Sequence, residues 1–145
     1  QALTLDTPLP GDTVQQVFAT HASQLASTSS TYADTGLTAS ITPSSASNKV
    51  VVRATTQGIY KDTFNQAVNL QLLRATTQIG LLVTGSNGGT GINAPGAAHW
   101  ERLDSPASAS AVTYKVQFNA SANTGNVYVQ QASSTSTISL TEVMV

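Results

Sequence analysis

A chain of 145 residues, with net charge −1 and no cysteine, is the size of one domain and carries neither a disulfide framework nor a thiolate metal site. Only 9% of its residues are charged, and the six cations, Lys49, Arg53, Lys61, Arg74, Arg102 and Lys115, stand singly. Nucleic-acid binding and polybasic membrane attachment both need clustered cations, so both are excluded as expectations.

Hydroxyl and amide groups stand where charge would: Ser and Thr make up about a quarter of the chain. Residues 1–10 read as an N-terminal arm or linker, in which Leu3, Leu5 and Leu9 give some alternation. Period-two patterning then recurs along the chain, with hardly any helical periodicity. A first strand runs about ten residues from Asp12, through Val17 and Phe18. Leu37, Ala39 and Ile41 alternate with polar residues, as do Val50, Val52 and Ala54, then Val68, Leu70 and Leu72. The run 78–83 follows, broken by Gly80. A weaker strand covers 98–103, and the clearest one carries Val112, Tyr114, Val116 and Phe118. Val127 and Val129 flank Tyr128, and Ile138, Leu140, Glu142 and Met144 alternate to the end.

Turn chemistry divides these runs. Pro43 with its serines forms a loop, Gln57-Gly58 opens a short excursion, and 85–96 is the longest connection. Residues 119–125 read as a hairpin. Eight or nine short strands with such spacing predict an all-β fold, an antiparallel, jelly-roll-like β-sandwich over residues 11–145. No apolar stretch approaches the roughly 20 residues of a helical membrane span, so no membrane insertion is expected. Val50-Val-Val52 and Leu70–Leu73 are apolar on both faces. A strand covered on one side only would alternate, so the second face points to contact with a neighbouring subunit.

Several blocks resemble modules at the ends of bacteriophage fibre and virion structural proteins of marine and metagenomic type. They are Asp34-Thr-Gly-Leu-Thr-Ala-Ser-Ile-Thr-Pro43, Gln57-Gly-Ile-Tyr60, Leu70-Gln-Leu-Leu-Arg74, Leu103-Asp-Ser-Pro-Ala107, Val112-Thr-Tyr-Lys-Val-Gln-Phe118 and Ser136-Thr-Ile-Ser-Leu-Thr-Glu-Val143. Their order matches over about 11–145. The resemblance implies a β-sandwich on a virion appendage, outside the cell, assembled as a homotrimer beside other virion proteins. It carries over no catalytic, cofactor or metal residues.

Catalytic material is sparse. His99, Glu101, Asp104 and Ser105 cluster in sequence, but Pro106 follows the serine and no nucleophile elbow is present. The 89–94 glycine motif precedes Pro95 rather than a helix, so it does not read as a dinucleotide site. No enzyme activity, cofactor or metal is expected. Aromatic residues with polar tips suit sugar faces. Tyr60 and Trp100, with Asn87 and Asn93 near the long loop, are therefore the candidate contacts to a host surface glycan or a protein partner. Two readings compete with the virion one. The first is a lectin-like glycan-binding module; the second is a secreted filament subunit that uses 1–10, with Leu3, Leu5 and Leu9, as a donor strand.

Overall fold

The computed structural model describes residues 7–84 and 93–145; for 83, 84 and 93–95 it describes the backbone alone. Leu3, Leu5 and Asn87 lie outside the described residues. The elements are β1 (Thr13–His21), β2 (Leu25–Ser27), β3 (Ala33–Ile41), β4 (Lys49–Lys61), β5 (Val68–Arg74), β6 (Thr77–Thr84), β7 (Asn93–Asp104), β8 (Val112–Ala120), β9 (Val127–Val129) and β10 (Ser136–Val143). A 3₁₀ turn covers Gln131–Ser133.

The expected antiparallel sandwich is the fold. The larger sheet has the order β1-β10-β4-β9-β2, with β7 also paired to β4; the smaller has the order β3-β8-β5-β6. β7 runs along β4 from Val50 to Lys61, so β10 and β9 share the other side of β4. The thirteen-residue β4 thus spans both halves of the larger sheet.

Alternation sets the core. Val50, Val52, Ala54 and Ile59 of β4, with Ile138 and Leu140 of β10, face Leu37 and Ile41 of β3, Leu70 and Leu72 of β5, and Tyr114, Val116 and Phe118 of β8, all nearly or fully buried. Each such aliphatic side chain contributes about 1.5–3 kcal/mol. The break at Gly80 has a packing reason. A Cβ there would lie 3.1 Å from Trp100 Nε1 and 3.2 Å from Trp100 Cδ1. The glycine of β6 is the recess into which the indole of β7 fits.

Several expectations change. Gln57-Gly58 is a bulge inside β4, not an excursion out of the sheet. The turn at Gln131 approaches so closely that a Cβ on Gly58, at φ +61°, would overlap the Gln131 backbone nitrogen. Residues 119–125 do not close a hairpin, because β8 belongs to the smaller sheet and β9 to the larger. The buried Gln66 side chain secures that crossing: its Oε1 accepts from Ala122 N (2.8 Å), and its Nε2 donates to the Gly125 carbonyl (3.0 Å). Leu73 is 6% exposed within the protomer, because a bulge between Leu72 and Leu73 interrupts the alternation. β2 is an added strand that no periodicity marked.

Candidate interaction surface

The outer face of the larger sheet is built from three cross-strand rows over β1, β10, β4 and β7. They are Gln16–Thr141–Val51–Leu103, Phe18–Ser139–Arg53–Glu101, and Thr20–Thr137–Thr55–His99. These residues point outward because their neighbours Val17, Leu140 and Val52 turn the other way by the pleat. Phe18 is 65% exposed and Leu103 60%. The charge in the middle cancels: Arg53 Nε meets Glu101 Oε2 at 3.2 Å, an exposed pair that contributes little to stability. His99 Nδ1 lies 2.8 Å from Thr55 Oγ1. The face is neutral, hydroxyl-rich and apolar at both margins.

The outer face of the smaller sheet is different in kind. Gln71 Nε2 donates to Gln117 Oε1, and Gln117 Nε2 to Asp34 Oδ1, both at 2.7 Å. Asn69 Nδ2 donates to Asn119 Oδ1 at 2.8 Å, and Lys115 Nζ pairs with Asp34 at 2.9 Å. The Gln117 hydrogen bond, then Lys115, holds the Asp34 carboxyl below the usual range. These polar groups satisfy one another, and Leu81 of β6, 53% exposed in the row of Gln71 and Gln117, is the large apolar side chain beside them. Asn119 also donates to the Ser30 carbonyl and is 6% exposed, so the formal Asn119-Ala-Ser121 sequon does not present its amide.

The sequence cluster at 99–105 separates. His99 and Glu101 stay on the outer face, with Thr55 and Arg53 as partners. Asp104 joins the two sheets instead: it accepts from Arg74 Nη1 and from the Tyr114 hydroxyl, each at 2.7 Å. Burial, then the Asp104 hydrogen bond, pushes the Tyr114 phenol far above its ordinary range.

Trp100 requires a correction as a contact residue. It is 4% exposed within the core cluster, so its ring presents no face to a ligand. Tyr60 lies where a contact residue could act: half-buried on the outer side of β4, beyond the Gly58 bulge. Its cross-strand partner is Tyr128 of β9, with ring centroids 5.5 Å apart and planes at 53°. Asn93 pairs with Lys61 through the backbone, placing it one strand across from Tyr60's neighbour. Nothing in the sequence showed that Asp62 and Asn126 meet. Asp62 Oδ1 accepts from Asn126 N (2.8 Å), and Oδ2 accepts from Asn126 Nδ2 (3.0 Å) and the Tyr128 hydroxyl (3.3 Å). Desolvation, then the Asp62 charge, raises the Tyr128 phenol.

At the opposite end an open cleft of about 550 Å³ is lined by Pro8, Asp12, Thr13, Val14, Ser44 and Met144. Leu9 is 64% exposed beside it, and Gly11 N donates to the Met144 carbonyl at 2.7 Å. Beneath, the fully buried Glu142 accepts from Asn48 Nδ2 (2.7 Å), Gln15 Nε2 (2.6 Å), Ser44 N and Ser44 Oγ (both 2.8 Å). Burial alone would raise this carboxyl, but the hydrogen bonds from Asn48, Gln15 and Ser44 together outweigh it and hold the group at about 2. Among the described residues no group of three or more metal-ligating side chains comes together. No described helix is long and apolar enough to cross a membrane.

No protein-family model matches the chain, and no curated protein matches it by sequence. Among solved structures it is similar to the infectious bursal disease virus VP2 subviral particle, at 10% identity and TM-score 0.51. That match covers 100% of this chain and 42% of the VP2 chain. A structure of the Gt strain of the same virus gives 10% identity and TM-score 0.41, covering 100% of this chain and 43% of that one. The first likeness shows a shared sandwich fold, and this chain spans less than half of the chain it matches.

Proposed function

We propose that this chain is a virion structural module that assembles as a homotrimer through the outer face of its larger sheet. Its place is on a virion appendage, at a fibre tip or as a decoration, where it contacts neighbouring virion proteins and the host surface. The observation that carries the reading is the exposure of two large apolar side chains, Phe18 and Leu103, in adjacent rows of a neutral outer face, whereas the opposite face exposes Leu81 beside amides that pair among themselves. A sheet face that exposes several large apolar side chains without net charge suits cover by a partner. A second copy fits because the face is nearly uncharged, so sister copies do not repel.

Three further facts support the reading. The fold is shared with a protein of a subviral particle. The chain is charge-poor throughout. The ordered sequence blocks resemble phage fibre modules. Residues 1–10 act in this reading as an assembly arm, and Leu9, the one of its three leucines among the described residues, is exposed.

The double variant Phe18→Ser, Leu103→Ser tests it. Each side chain contributes about 1.5–3 kcal/mol when buried, so trimer dissociation should strengthen by at least about 100-fold. The variant protomer should keep its thermal stability, because neither residue touches the core. An unchanged assembly would refute the assignment of this face.

A further inference from the structure

We infer that the far half of the same outer face, beyond the Gly58 bulge, is a binding site for a neutral sugar. The inference deepens the host-contact part of the proposed function and names its ligand class.

Four groups from separated parts of the chain meet there. Tyr60 and Tyr128 form a tilted pair at 5.5 Å and 53°, an open angle that leaves ring surface for the C–H face of a pyranose. Asp62 sits at the rim of the pair and already accepts from Asn126 and Tyr128. Each carboxylate oxygen can take about two hydrogen bonds, so Oδ1 retains capacity for a sugar hydroxyl. The Tyr60 hydroxyl and Asn126 Oδ1 have no hydrogen-bond partner among the described residues. Aromatic surface beside an acceptor-rich rim is what a polyhydroxylated, uncharged ring requires.

Charge selects against the other small-ligand classes. Asp62 repels phosphate and acidic sugars. Lys61, the next residue along the chain, turns into the core and is 1% exposed, with its ammonium on the Gln66 carbonyl at 2.9 Å. The site is also rigidly placed. Gly58 and the Gln131 turn fix the bend of β4, and Asp62 N donates to the Asn126 carbonyl at 3.2 Å.

The test is an NMR titration of the full chain with methyl mannoside, methyl galactoside, N-acetylglucosamine and sialic acid as separate probes. A neutral probe should shift the amides of Tyr60–Phe64 and Asn126–Tyr128, and sialic acid should not. Tyr60→Ala and Asp62→Asn should each weaken binding about tenfold, whereas Tyr60→Phe should weaken it less than Tyr60→Ala, since it keeps the ring and loses only the hydroxyl. Absence of shifts with every neutral probe, shifts elsewhere, or indifference to Tyr60→Ala would overturn the inference. So would a Tyr60→Ala variant that lowers the assembled mass instead, because the rings would then face a second copy. The Phe18→Ser, Leu103→Ser variant should retain sugar binding, which separates this site's failure from that of the assembly face.

Discussion

Glu142 shows how a single buried charge is held without a cation. Four hydrogen bonds from Gln15, Ser44 and Asn48 gather the start of β1, the β3–β4 loop and the end of β10 around one carboxylate. Its pKa falls from 4.5 to about 2, so the folded state binds its proton less readily than the unfolded chain. The stabilisation is therefore complete above about 4.5 and is lost as pH falls toward 2. Glu142→Gln should lower thermal stability at neutral pH, and the gap to the parent should close across that acid window. A gap that stays constant with pH would show that the charge is not what the network holds. Two glycines make a second residue-scale case. Gly80→Ala should cost about 1–3 kcal/mol by crowding the Trp100 indole, read as a lowered melting temperature with altered tryptophan emission. Gly58→Ala should cost more, because it meets backbone at Gln131 rather than a side chain that can shift.

Among elements, β4 and β8 carry most of the information. β8 was legible because Val112, Tyr114, Val116 and Phe118 alternate without interruption, and all four are buried at 9% exposure or less. Tyr114 also ties its sheet to β7 through Asp104, so Tyr114→Phe should destabilise by about 1–3 kcal/mol, measured by denaturant unfolding, because Asp104 loses one of its two partners. β4 was legible as a strand but not as one continuous element. A glycine inside an alternating run signals a turn or a bulge equally well, and only the approach of Gln131 decides between them. β2 has three residues, too few for any period to show. Trp100 was misjudged for a related reason: alternation places a residue on a face but does not say which face is covered. Asp62 and Asn126 are 64 residues apart, and no local pattern joins them. Tyr60 stood out from its neighbouring turn, while Tyr128 gave no sign beyond its place between two valines.

The molecule as a whole has two unlike outer surfaces. One sheet turns a ladder of paired amides outward with Leu81 at its β6 margin, and the other presents Phe18, Val51 and Leu103 around a compensated ion pair. Both outer faces follow from the same alternation that builds the core, so the asymmetry lies in residue choice rather than in topology. The larger sheet also divides along β4 into an apolar half and a half bearing the tyrosine pair. The most direct test of the central claim is the mass of the chain in solution by sedimentation equilibrium. The account predicts three times the 14.9 kDa protomer mass, unchanged by Gln71→Ser, Gln117→Ser on the amide face and reduced to one protomer by Phe18→Ser, Leu103→Ser. A chain that sediments as a single protomer at high concentration, or a trimer that only the amide-face variant disrupts, would contradict it.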